Sequence, residues 1–436
     1  MRTITDLPDE LLDEIAFFLP QGTLFFLCTV SKRFQPRATR WLYRCLALAG
    51  NGETIKICKA LISNHFSAVS VRKVLLWPGL AFSRPTLTEG PFYLYLSSFY
   101  KLLSRALSCM VNVESIRLMF PYCGASLTLD ACTFPNLHSF ATTMEPHTLA
   151  SFVRRHPQLQ ELHISPSDAK SVPLSEFSGI RLSLVKSVAL PEPLLFMVSP
   201  EAPLESLLSA EIEDDNEEIP NYIRNISRYC TTLSELHLCR PHWNAEALMH
   251  VATLLPNITN FAFTRMAPGL HHDANVAFLD ACEAALPFFK SLNQIRVTRN
   301  QGRSRFTRMS NYRFDSKMVQ TWGKKCPTLD ICVFPSGTAW HRVEDNVWMP
   351  DLHQKAAIRW LFKIAFTGQF PIDVAESLQQ FCDSIGKVDT LGLLDFRSPS
   401  TSLGLYAHAE EDNEPYYESS ESDESEVESE EEGQEI

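Results

Sequence analysis

The sequence predicts a mixed α/β chain in three parts: a short helical module, a solenoid of strand–helix repeats, and an acidic tail. Three observations predict it. Residues 4–48 hold three short, very apolar helical stretches separated by proline-bearing breaks. Between residues 69 and 395 a pattern of apolar, two residues, apolar, one residue, apolar recurs. From His408 to Ile436 there are 14 acidic residues and no Lys or Arg.

The first helix opens at Leu7-Pro8-Asp9-Glu10. Proline suits a first turn, where its missing N–H costs nothing, and two carboxylates there favour the positive end of the helix dipole. The helix is expected to run to about Leu19 and stop at Pro20-Gln21-Gly22, with Thr23 capping the second. The second carries Leu24, Phe25, Phe26, Leu27 and Val30. A third is expected to begin near Pro36 and to carry Trp41, Leu42, Tyr43 and Leu46. In the first helix, Leu11, Leu12, Ile15, Phe17, Phe18 and Leu19 cover more than the ~100° stripe that a surface helix needs. A unit of about 45 residues is near the lower limit for folding alone. The surplus apolar surface must meet the rest of the chain, another protein, or both.

The run Leu7-Pro8-Asp9-Glu10-Leu11-Leu12, then Ile15, Leu19, Leu24, Val30 and Ser31-Lys32-Arg33-Phe34, resembles the F-box motif at unbroken spacing over about 40 residues. Phe34 stands where many members of that family have Trp. The resemblance implies a three-helix module that grips the Skp-type adaptor of cullin–RING ubiquitin ligases. It implies that Leu7, Pro8, Leu11, Ile15, Leu19, Leu24 and Val30 are adaptor-contacting or framework positions. The stretch from Cys326-Pro327-Thr328-Leu329 to Phe334-Pro335-Ser336-Gly337, with Trp340, resembles one common in fungal F-box proteins.

The repeat units are Val71/Val74/Leu76, Val113/Ile116/Leu118, Leu159/Leu162/Ile164, Val185/Val188/Leu190, Leu233/Leu236/Leu238 and Ile258/Phe261/Phe263. Leu292/Ile295/Val297, Leu329/Cys332/Phe334 and Val388/Leu391/Leu393 continue them, and Leu137/Phe140 and Leu204/Leu207 are weaker copies. Helical stretches such as Thr148 to Arg155 and Glu246 to Leu255 fall between them. The spacing matches leucine-rich-repeat periods, and one strand plus helix buries its apolar edge only by stacking on neighbours. An ordinary α/β domain that contains the same short pattern is the competing reading. The wider later gaps imply insertions, one of them Gln301 to Ser316. The resulting organisation is an F-box domain over 1–50, a helical linker over 51–68, an irregular leucine-rich-repeat-like domain over 69–395, and a disordered acidic tail over 396–436.

Apolar residues make up 45% of the 436, enough for a sizeable core. The net charge is −12, but without residues 408–436 the 39 basic residues face 37 acidic ones. The 12 cysteines include no Cys-x-x-Cys pair and sit in apolar runs, as buried thiols in a reducing compartment would. No signal core and no run of ~20 apolar residues is present, so the expectation is a cytoplasmic or nuclear protein with no membrane span. No nucleotide, hydrolase or zinc-protease motif is found, so neither an enzyme nor a cofactor is expected.

Strand alternation puts His237 and Cys239 on one face, with His242 nearby, but no second cluster with ligand spacing accompanies them; a structural role is favoured over a metal. In each repeat the third and fifth places point away from the buried ones and in a solenoid line the concave face. Those places include Arg117, His163, His237 and Arg296, the expected target-binding residues, with an apolar end near Ile331 and Val333. A basic segment from Arg296 to Arg313, with Phe306 and Tyr312, leaves nucleic-acid binding as the least favoured reading. The expected function is a substrate receptor of an SCF-type ubiquitin ligase, holding a protein target through the repeats. The alternative is a repeat scaffold that binds the adaptor without target ubiquitination.

Overall fold

The computed structural model describes residues 7–49, 51–77, 91–119, 129–144, 146–165, 174–209, 218–229, 232–266, 272–299, 309–344, 347–351 and 357. All lie within one compact unit, residues 1–375. The repeat copy at Val388, the tail, and Arg303, Arg305, Phe306 and Arg308 of the basic segment lie outside the described residues.

Three helices open the chain: α1 (Asp9–Phe18), α2 (Gln21–Val30) and α3 (Gln35–Arg44). Pro8 and Pro20 occupy the N-cap positions of the first two in extended conformation, and Asp9 and Glu10 fill the first turn of α1. Thr23 is therefore inside α2 rather than capping it; Pro20 alone sets the break. The third helix ends at Arg44, earlier than expected, and Cys45–Leu48 forms β1. Leu46 is buried as a strand residue, because the alternation Leu46, Leu48 fits the sheet beside it.

Two further helices are α4 (Asn51–Ser63) and α5 (His65–Ser70), the latter capped by Asn64, whose Oδ1 accepts the Ser67 N–H at 3.2 Å. From there strands and helices alternate: β2 (Lys73–Leu76), α6 (Pro91–Cys109), β3 (Ser115–Leu118), β4 (Ser139–Thr142), α7 (Ala150–Arg155), β5 (Glu161–Ile164), α8 (Leu174–Phe177), β6 (Ser187–Leu190) and β7 (Ser206–Ser209). The series continues with α9 (Glu218–Tyr229), β8 (Glu235–Arg240), α10 (Ala245–Leu254), β9 (Asn260–Arg265), α11 (His272–Ala285), β10 (Gln294–Arg299), α12 (Met309–Lys325) and β11 (Ile331–Val333). An antiparallel pair, β12 (Ala339–Glu344) and β13 (Val347–Pro350), closes it. The expected insertion at Gln301–Ser316 is thus helical from Met309 onward, because Tyr312 and Asp315 pack inward as the first turns of α12.

Among the described residues there is one sheet of 13 strands, standing in chain order and parallel from β1 to β11. Each repeat contributes one strand, and every apolar residue of the repeat pattern that the structure describes is buried. The same backbone link recurs at each step from β2 to β11. The carbonyl of the residue before a strand accepts two successive N–H groups from the next repeat: His138 takes Gln160 and Glu161, Gln160 takes Lys186 and Ser187, and Ser234 takes Thr259 and Asn260. This fixes the register and satisfies the strand entries without side-chain help. The buried sheet face joins helix residues such as Leu61, Leu107, Phe152, Val251, Cys282 and Trp322 in one continuous core.

The N-terminal helices have a small core of their own, centred on Ala16, Leu24 and Ala38. Charge pairs hold α1 against α3 and the turn before it. Asp9 meets Arg33 and Arg37, and Asp13 accepts the Trp41 indole N–H at 3.0 Å. The hydrogen bond from Arg33 pulls the Asp9 carboxyl below its ordinary range.

Candidate functional site

Two surfaces carry the candidate residues. The first is on α1 and α2. Leu11, Phe17, Phe18, Phe25, Phe26 and Val30 are all exposed there, Phe18 at 74% and Val30 at 71%. The helices bury Leu12, Ala16 and Leu24, so more large apolar side chains face outward than inward. Phe17 and Phe18 stand ring to ring on α1, as do Phe25 and Phe26 on α2, so each helix presents paired rather than isolated exposed rings. Of the residues that the F-box resemblance singles out, Pro8, Leu11 and Val30 are exposed, Leu7, Ile15 and Leu19 are half-buried, and Leu24 is buried at 5%. Leu24 packs in the small N-terminal core, whereas the others keep accessible surface.

The second surface is the face of the sheet turned away from the core. The register sets Arg117, Ala141, His163, Ala189, Leu208, His237, Ala262, Arg296 and Val333 side by side on successive strands. The four expected target-binding residues thus stand in a single row, which spacing alone did not require. Arg117 and Arg296 are exposed; His163 and His237 are half-buried.

The imidazoles are held by their neighbours. His163 Nε2 lies 3.3 Å from Ser187 Oγ, and His237 Nε2 lies 2.7 Å from Thr264 Oγ1, which is 2.8 Å from Thr298 Oγ1. Burial pushes His237 down to about 4, helped by the positive charge of Arg296. His163 is lowered by burial and by Arg117, against the opposing charge of Glu161. Both rings are neutral at pH 7. In the neighbouring row, Glu161 accepts from Ser139 Oγ at 2.7 Å and Glu235 from Asn260 Nδ2 at 2.8 Å. Those two carboxylates are occupied within the sheet, so the long exposed groups on the face are the arginines.

Cys239 Sγ lies 3.6 Å from His237 Nε2, on the face that alternation assigns to it. Among the described residues no three His, Cys, Asp or Glu side chains come together as a ligand set. Burial pushes the Cys58 and Cys132 thiols up to about 11, which keeps them protonated and unreactive.

Among its described residues the basic segment does not form one patch. Arg296 points away from the core, whereas Arg299 is on the opposite side of β10 and donates from Nε to the Pro335 carbonyl at 3.2 Å. Tyr312, which the sequence offers as an aromatic for base stacking, is fully buried in α12 as part of the shared core.

Sequence reading missed Lys73, Leu75 and Trp77, which stand on the outward face of β2 and just beyond it, all exposed. The signal is in the repeat unit Val71/Val74/Leu76, whose alternation exposes positions 73 and 75. Leu75 and Trp77 are large exposed apolar side chains at that end; Ile331 and Val333, the expected apolar end, are half-buried, with Val343 exposed on β12 beyond them. No helix among the described residues is long and apolar enough to cross a membrane. No family model matches the chain. No curated protein matches it.

Proposed function

We propose that this protein is the substrate-recognition subunit of an SCF-type cullin–RING ubiquitin ligase. The observation that carries the reading is the excess of exposed apolar side chains on α1 and α2. Asp9 and Asp13 of α1 pair with Arg33, Arg37 and Arg40, and α2 carries no charged residue, so a partner there meets a largely apolar surface, as the F-box resemblance implies for a Skp-type adaptor. The adaptor attaches the chain to the cullin scaffold. The strand order, the repeating carbonyl link and the shared core support a leucine-rich-repeat solenoid, a form that presents an extended binding face. The row from Arg117 to Arg296 is where a protein target is held. Rate gain then comes from proximity, with no reacting side chain supplied by this chain.

The test replaces Phe18, Phe26 and Val30 with Ser. All three are more than 60% exposed, so stability is kept while the docking surface is lost. Adaptor and cullin co-purify with the wild type and not with the triple variant. Equal recovery with both proteins rejects the reading.

A further inference from the structure

We propose that the outward face of β1–β3 anchors an extended acidic segment of a partner protein that carries one large apolar side chain. This rests on the target-binding half of the function proposed above and narrows it to one end of the sheet. The register sets Ala47, Leu75 and Arg117 side by side on three neighbouring strands, ~4.8 Å apart. Trp77 extends β2 by one residue, its N–H donating to the Leu48 carbonyl at 2.9 Å, which keeps its side chain on the face of Leu75.

Three features specify the occupant. Leu75 is 37% and Trp77 45% exposed, whereas farther along the row Ala141 and Ala189 are buried and Leu208, Ala262 and Val333 are half-buried. An apolar anchor therefore has surface to cover here. Lys73 and Arg117 flank Leu75, one along the strand and one across it, and both are exposed. Among the described residues Arg117 has no ion pair. Finally, no carboxylate stands on this face of β1, β2 or β3; Glu161 and Glu235 stand on strands farther along. A purely apolar partner would cover Lys73 and Arg117 without pairing them, at a desolvation cost, and a basic one would be repelled. A segment with carboxylates on either side of an apolar residue satisfies all three features. Trp and Arg are also the residue types that most often dominate interface energetics. Because β1 follows α3 with no residue between, a target anchored here is held at the end of the sheet that adjoins the N-terminal helices.

The experiment uses the full chain and fluorescein-labelled nine-residue peptides. Each has three glutamates in a serine background, with one Leu or Phe placed in turn at each remaining position. A matched set has lysines for glutamates. Anisotropy titration is expected to find a glutamate peptide that binds saturably and whose lysine counterpart binds at least tenfold more weakly. Arg117→Glu and Trp77→Ala each lower that affinity at least tenfold. Arg224→Glu, exposed on α9, leaves it within twofold. Thermal midpoints by circular dichroism verify the fold of each variant. The proposal is overturned by no saturable binding of any glutamate peptide, by equal binding of the lysine set, or by retention in both variants. Adaptor pull-down on the same preparations separates the two readings. Peptide binding without adaptor binding rejects the ligase reading and keeps this site; adaptor binding without peptide binding does the reverse.

Discussion

The ring of His156 accepts the backbone N–H of Phe134 at Nε2, 3.2 Å away, across two successive repeats. Its other nitrogen, Nδ1, donates to the Phe152 carbonyl at 2.8 Å, which fixes the tautomer. The ring is 1% exposed and packs between Phe134 and Phe152. His156→Ala removes the acceptor, leaves a buried N–H without a partner and opens space beside two phenyl rings. The expected loss is roughly 2 to 4 kcal/mol, read from denaturant midpoints at pH 7. A loss below 1 kcal/mol would show that the link between repeats does not depend on this ring.

Acidification acts on the same kind of group. His156, His163 and His237 all have folded pKa values below the ordinary 6.5, with burial as the largest cause. Between the folded and unfolded values the unfolded chain binds more protons, so stability falls as pH falls from about 6.5, and for His237 down to about 4. His237→Gln retains hydrogen bonding to Thr264 and cannot be protonated, so its stability curve should be flatter between pH 6.5 and 4 than that of the wild type.

Asp315 behaves with the opposite sign. Its carboxyl is 3% exposed, accepts from Ser336 Oγ at 2.7 Å and is pushed up to about 7 by burial. Here the folded state binds the proton more tightly, so the contribution is full below the unfolded value near 3.8 and is lost as pH rises through 7. The span corresponds to roughly 4 kcal/mol. Asp315→Asn should remove that slope, and the variant should gain on the wild type steadily from pH 4 to 7 in urea titrations.

Gly323 is where α12 meets β13. A Cβ there would come within 2.9 Å of the Trp348 indole, itself 3% exposed and stacked under the Arg342 guanidinium. Arg342 also donates to the Gly323 and Cys326 carbonyls at the end of the helix. Gly323→Val should cost roughly 2 kcal/mol through overpacking, despite removing a glycine from a helix, with near-ultraviolet circular dichroism of the tryptophans altered. An unchanged midpoint and spectrum would mean that the indole moves aside freely.

At the N-terminus, Leu7→Ala with Pro8→Ala should weaken adaptor binding ten- to a thousandfold, since losing one buried Leu is typically worth ~1.5–3 kcal/mol. The contact of Arg33 Nη2 with this segment goes to the Leu7 carbonyl at 2.8 Å, which alanine keeps. The thermal midpoint should therefore hold while the pull-down is lost. At the sheet, substituting Arg117, His163, His237 and Arg296 together with Glu should release the target and leave the adaptor bound; a target that stays bound would move the site to the loops.

The sequence by itself determined which residues are buried in the repeats and that strands and helices alternate. That information is local: apolar residues at the fourth and sixth places share one face of a short strand, which has one way to face a core. It also marked the surplus of apolar residues on α1 and α2, because two short helices cannot hide that many side chains. It did not reveal β1, since Cys45–Leu48 continues an apolar helical run and becomes a strand only because β2 offers an edge to pair with. The burial of Tyr312, the divergence of Arg296 from Arg299, and the row that gathers Arg117, His163, His237 and Arg296 were likewise decided by tertiary structure. Each depends on how strands far apart in the chain align, and register is a property of the paired sheet rather than of any strand.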